Sequence, residues 1–190
     1  METHPIAGTR PRGGKDPIDD LRLEEELINS IKDKAEHVML VDLARNDIGR
    51  VCRFGTVRVK ELYAIEKYQS VQHLVSRVEG VLERGNDIVD ALFATFPPAG
   101  TVSGAPKPRA MELIAKYEAR PGGPMQGAIG LMHGSGGEFA IIIRTLFLMG
   151  GVARIQAGGA GIVYDSVPEL EFQETEHKLG SLKTAMGGVV

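Results

Sequence analysis

The stretch Gly127–Met149, "GAIGLMHGSGGEFAIIIRTLFLM", decides the fold. Two apolar runs, "GAIGLM" and "FAIIIRTLFLM", flank the glycine-rich "HGSGGE", so the segment reads as a β-hairpin. The second run continues through Gly150-Gly151 into "VARIQ", which reads as another hairpin. Hairpins make antiparallel pairs, and upstream "TVRVKEL" and "SVQHLVSRVEGVL" also alternate like strands. Helical signals surround them. Asp16-Pro17 is a helix start with proline at the first turn. Asn29-Ser30 breaks that helix, and a second runs through "IKDKAEHVMLVDLARND" to Gly49. "NDIVDALFATF" is a short helix with Asn86 as its candidate cap. Pro106 and Pro108 open "PRAMELIAKYEA", and a last helix follows Pro168. "THPIAGTRPRGGKDP" and "PPAGTVSGAPK" read as loops. The pattern predicts an α+β fold, antiparallel sheets with helices packed on them, and no internal domain boundary.

The 190 residues suffice for a real core, and 43% apolar with 25% charged residues is a globular composition. The net charge of −3, without a lysine or arginine block, gives nucleic acid no footprint. Cys52 is the only cysteine, which excludes an internal disulfide and a cysteine-based zinc site. No apolar run is long enough to span a bilayer, so no membrane role is expected. The segment "METHPIAGTRPRGGKDP" carries no apolar signal core, which points to the cytoplasm.

Several residues could carry chemistry. In "PELEFQETEHK", Glu171, Glu174 and Lys178 share one helix face. Asp33 and Glu36 form a second acidic pair on another helix. Two carboxylates about 5 Å apart repel by roughly 3 kcal/mol at an effective dielectric of 20. A divalent cation reverses that sign, and magnesium favours such oxygen ligands. Ser30-x-x-Asp33 also fits a helix cap, and an ExxE on its own is more simply a solvated helix face. Gly158, Gly159 and Gly161 could form an anion nest or simply a tight turn. Thr101 and Ser103 offer hydroxyls before a helix N-terminus, or only cap a loop. Arg144, after three isoleucines in an expected central strand, needs either a structural carboxylate or a substrate carboxylate. His73, on the Val71/Val75 face of its strand, is a hydrogen-bonded core residue or a catalytic one.

As a set, "PIAGTRPRG", "KDKAEHVMLVDLARNDIGRV", "SVQHLVSRVEG", "AGTVSGAPKPRAM", "IIIRT", "AGIVYDSVPE" and "ETEHK" resemble the chorismate-utilising enzymes. The resemblance is to the C-terminal part of the anthranilate synthase component I branch, and the motifs run in the family's order from Pro5 to Lys178. It implies that residues 1–190 are the C-terminal portion of a single chorismate-binding domain. The implied activity is a lyase reaction of tryptophan biosynthesis. Chorismate is aminated and loses its hydroxyl, then loses pyruvate to give anthranilate. Ammonia would come from a glutamine amidotransferase subunit, component II.

The resemblance further implies that Glu36, Glu171 and Glu174 hold magnesium, directly or through water, with Asp33 completing the set. Lys178 would neutralise the ring carboxylate of chorismate. Arg144 would bind the enolpyruvyl carboxylate, helped by N–H groups around Gly159 and Gly161. Thr101 and Thr9 would line the substrate, and His73 would lie under its ring and serve the elimination step.

The chain also departs from the family pattern. Asp33 stands where glutamate is usual, and Leu131 where a tyrosine is expected. Ala7 in "PIAGT" stands where aminodeoxychorismate synthases carry lysine, which favours the anthranilate branch over that alternative. A non-catalytic remnant of the fold is the other reading. Full component I chains are more than twice as long, so little or no turnover is expected from these residues alone. A sheet short of strands exposes edges, so homo-oligomers or poor solubility are expected too.

Overall fold

A computed structural model describes the chain except residues 15, 70, 97, 119–121, 135, 159–161, 163–165 and 188–190, and except the side chains of His177 and Ser181. The described residues form two compact units, Met1–Thr95 and Phe96–Val190.

The first unit is built around one long strand. β4 (Val71–Glu79) pairs antiparallel with β3 (Arg58–Lys67) along one edge. Along its other edge it pairs antiparallel with β1 (Glu2–Thr3) and β2 (Ile6–Pro11), placed end to end. The expected N-terminal loop is thus largely strand. Pairing with β4 outweighs the Gly/Pro/Arg composition of the segment, because β propensity yields to tertiary context.

Helices α1 (Pro17–Asn29) and α2 (Ile31–Gly49) pack on this sheet. Asp16 caps α1 by accepting from the Ile18 N–H at 2.9 Å. Ser30 serves both helices. Its N–H donates to the Leu27 carbonyl at 3.3 Å and its hydroxyl accepts from the Asp33 N–H at 3.2 Å. The core comprises Val41, Ile48, Cys52 and Val78, joined by Val57, Val59 and Leu82. α3 (Ile88–Thr95) closes the unit. Asp87, not Asn86, caps α3. Its carboxylate accepts from the Val89 and Asp90 N–H groups at 2.7 and 3.1 Å, while the Asn86 amide turns back to the Val51 carbonyl.

The second unit contains a single 3-10 turn, Gly100–Val102, helix α4 (Lys107–Tyr117), two hairpins and helix α5 (Pro168–Ala185). β5 (Ala128–His133) pairs with β6 (Gly136–Ile141), and β7 (Leu146–Met149) with β8 (Val152–Ile155), all antiparallel. Both hairpins fall where the glycines place them. The run "FAIIIRTLFLM" is not one strand, however. It bends after Ile141, where the Ile143 N–H turns back to the Ile141 carbonyl at 3.0 Å and Arg144 takes φ +48°. A left-handed residue cannot continue a strand, so the two hairpins form separate two-stranded sheets. No helix among the described residues is long and apolar enough to cross a membrane.

Candidate active site

Local backbone geometry in β2 sets up the first cluster. The β2–β4 register shifts between Ala7 and Thr9, and Gly8 at the shift has φ +72°. A glycine adopts that conformation without steric penalty, which makes the bulge feasible. A Cβ on Gly8 would stand 2.8 Å from Leu27 Cδ1 and 3.2 Å from Asp33 Cβ. The bulge puts Thr9 opposite His73, with Thr9 Oγ1 3.0 Å from His73 Nδ1. The Gly8 carbonyl lies 3.3 Å from the same nitrogen. A carbonyl only accepts, so Nδ1 is the donor in that contact. His73 is buried, with the Tyr68 ring tilted against it at a centroid distance of 5.7 Å.

Three residues further along β4, Ser76 ties the sheet to α2. His37 Nε2 lies 2.7 Å from Ser76 Oγ, which also accepts from the Tyr63 N–H at 3.1 Å. His37 and Ser76 have no exposed surface. Burial pushes the His37 pKa below its ordinary value, which favours the neutral ring.

On α2, Asp33 and Glu36 are both half-buried. The Asp33 carboxylate does not return to its own helix end, as a reciprocal cap would. It accepts from Arg10 Nη2 at 3.0 Å. The same guanidinium donates to Glu26 at 2.8 Å and to the Thr9 carbonyl at 2.9 Å.

In the second unit, Thr101 is exposed in the 3-10 turn, and Ser103 Oγ donates to the Ala99 carbonyl at 3.0 Å. Arg144 is exposed at the bend rather than buried in a strand, and it makes no hydrogen bond or ion pair among the described residues. On α5, Lys178 Nζ pairs with Glu174 at 2.6 Å and donates to the Gly158 carbonyl at 3.3 Å. Glu171 Oε2 is shielded from solvent and has no hydrogen-bond partner among the described residues. Gly159 and Gly161 lie outside the described residues.

The structure thus brings Thr9, Asp33, Glu36 and His73 into one unit, and Thr101, Arg144, Glu171, Glu174 and Lys178 into the other. Among the described residues no group of three or more His, Cys, Asp or Glu side chains forms a ready-made metal site. The carboxylate chemistry nevertheless suits magnesium, and the partnerless Glu171 oxygen is an acceptor that a cation would satisfy. Sequence reasoning missed Arg10, Gly8 and Ser76. Gly8 signals a bulge only once its segment is known to be a strand.

Thr9 and His73 on the first sheet, Asp33 and Glu36 on α2, and Glu171, Glu174 and Lys178 on α5 are residues that the resemblance to chorismate-utilising enzymes singles out. The chain belongs to the chorismate binding enzyme family, which matches residues 1–184.

Within that family it is 61% identical over 188 residues to anthranilate synthase component 1 of Saccharolobus solfataricus, covering 98% of this chain and 44% of that protein. It is 50% identical over 187 residues to aminodeoxychorismate synthase component 1 of Bacillus subtilis, covering 98% of this chain and 39% of that protein. Among solved structures it resembles anthranilate synthase component I from Streptococcus pneumoniae TIGR4, with a TM-score of 0.82 and 44% identity over 95% of this chain and 39% of that one. The chain therefore spans less than half the length of the curated relatives it matches.

Proposed function

We propose that this chain supplies the C-terminal part of an anthranilate synthase component I. It would act in the magnesium-dependent conversion of chorismate and ammonia to anthranilate and pyruvate, within tryptophan biosynthesis in the cytoplasm. The observation that carries this reading is the 61% identity to an anthranilate synthase component 1 across 98% of the chain.

Each described side chain has a role the geometry can serve. His73, placed by its contacts with the Thr9 hydroxyl and the Gly8 carbonyl, is the proposed proton acceptor for the elimination that aromatises the ring. Thr9 fixes that ring, and Thr101 lines the substrate. Lys178 neutralises the ring carboxylate while its bond to the Gly158 carbonyl holds the start of the glycine-rich loop. Arg144, with its planar fork exposed, binds the enolpyruvyl carboxylate, helped by N–H groups around Gly159 and Gly161. Glu36, Glu171 and Glu174 are the proposed magnesium ligands. When bound, the ion supplies charge neutralisation and a template for the substrate carboxylate. Ammonia is delivered by a glutamine amidotransferase partner subunit.

The 50% identity to an aminodeoxychorismate synthase component 1 supports a second reading, in which chorismate is converted to aminodeoxychorismate and its enolpyruvyl group is kept. Ala7 speaks against it, because that branch carries a lysine in the corresponding motif. A chimera decides between them. Residues 1–184 replace the matching segment of the Saccharolobus solfataricus enzyme, which is then given chorismate, ammonia and magnesium. Anthranilate fluorescence with equimolar pyruvate is expected. Accumulation of an aminated product without pyruvate would establish the second reading instead.

A further inference from the structure

We infer that Asp33 is the anchor of an arginine clasp that positions Thr9 and His73, and not a magnesium ligand. Asp33 is committed to a fixed cation. Its Oδ2 lies 3.0 Å from Arg10 Nη2, with the two side chains 16% and 22% exposed. Arg10 spends its remaining fork on the same piece of structure. Nε reaches Glu26 on α1, and Nη1 reaches the Thr9 carbonyl on β2 itself. One guanidinium therefore joins the bulged strand to both helices, a bridging that only a planar, multi-donor cation provides.

The bulge is also locked sterically to the same aspartate. A Cβ on Gly8 would come within 3.2 Å of Asp33 Cβ and 3.3 Å of Asp33 Cγ. Gly8 and Asp33 thus interlock, and the Gly8 carbonyl and Thr9 hydroxyl both lie against His73 Nδ1. The clasp acts on His73 through the bulge, so Arg10 and Asp33 are positioning residues. An aspartate at this position, one methylene shorter than the family's usual glutamate, fits against the bulge and stays with Arg10.

This inference rests on the proposed function only for what His73 does in the reaction. Its test needs no substrate, so failure of the clasp and failure of the anthranilate reading are separable. Arg10→Gln, Asp33→Asn and the double variant are made in the 190-residue chain, with Arg10→Lys as a milder break that keeps the charge. Three quantities are read: the 15N shifts of the His73 ring, amide exchange in β2, and magnesium binding by calorimetry. The clasp predicts that each single variant changes the tautomer balance of the His73 ring. It predicts β2 exchange about tenfold faster in each, with the double variant no worse than either single one. Arg10→Lys shows the same ring change in weaker form. Magnesium affinity stays within about twofold throughout, since an outer partner of a ligand set is not being removed. The inference is overturned if Asp33→Asn weakens magnesium binding tenfold or more, or if Arg10→Gln and Arg10→Lys leave the His73 ring signature unchanged.

Discussion

Replacing Gly8 with alanine tests the geometry on which the histidine depends. The native φ of +72° lies in the left-handed region, which costs a side-chain-bearing residue roughly 1–2 kcal/mol. The new methyl would also meet Leu27 Cδ1 at 2.8 Å and Asp33 Cβ at 3.2 Å, contacts that force something to move. Overpacking of that kind costs about 1–3 kcal/mol. The sum is a loss of about 2–5 kcal/mol, a large share of a domain stability of about 5–15 kcal/mol. Gly14 supplies an internal control. It has φ +64° but nothing within 4 Å of its would-be Cβ. Gly14→Ala therefore isolates the conformational part, about 1–2 kcal/mol. The assay is native-state hydrogen exchange of β2 and β4 amides, read alongside urea unfolding. Gly8→Ala should exceed Gly14→Ala by at least about 1 kcal/mol, with β2 and the His73 contact affected first. Equal effects from the two substitutions would refute the claim that the bulge is wedged against Leu27 and Asp33.

Other substitutions probe the surrounding framework. Ser76→Ala leaves His37 Nε2 and the Tyr63 N–H without the hydroxyl they share, so a loss of about 2–4 kcal/mol is expected in urea unfolding, and a loss under 1 kcal/mol would contradict that network. Ser30→Ala removes the hydroxyl that accepts from the Asp33 N–H and should cost about 1 kcal/mol, visible as fraying of the first turn of α2 in amide exchange. Acid stability reports on Asp20. The Arg12 guanidinium above all, with the Gly13 N–H and Lys67, holds its carboxyl well below the usual carboxylate range. Because the folded pKa is depressed, this stabilisation is present above the unfolded value of about 3.9 and is lost as pH falls toward the folded one. The urea midpoint of the wild type should thus fall between pH 5 and pH 2 by more than that of Asp20→Asn, and parallel pH profiles would remove Asp20 from the account.

Those elements that depend on neighbours in sequence were legible from the sequence. The hairpin glycines, the Asp16-Pro17 start and the Ser30 junction each act within a few residues, and each lies where the pattern put it. Elements that depend on distant partners were not. Nothing local marks "PIAGTR" as a strand, because its partner β4 lies some sixty residues away. Arg10 meets Glu26 and Asp33 at separations of 16 and 23 residues, distances over which charge patterning on one helix says nothing. Arg144 was misplaced because three isoleucines signal a strand, whereas the positive φ that ends it leaves no mark on a non-glycine residue. The candidate site was legible as a set of residue types only through family resemblance. The Thr9–His73 contact and the partnerless Glu171 oxygen required coordinates.

The central claim is that Glu171, whose Oε2 has no hydrogen-bond partner among the described residues, is a ligand of the proposed magnesium ion. Calorimetric titration of the chain with magnesium in the presence of chorismate tests it most directly, using the wild type and Glu171→Gln. The account predicts a loss of affinity of at least about tenfold in the variant, the scale expected for removing an oxygen ligand. Unchanged binding in Glu171→Gln would contradict it.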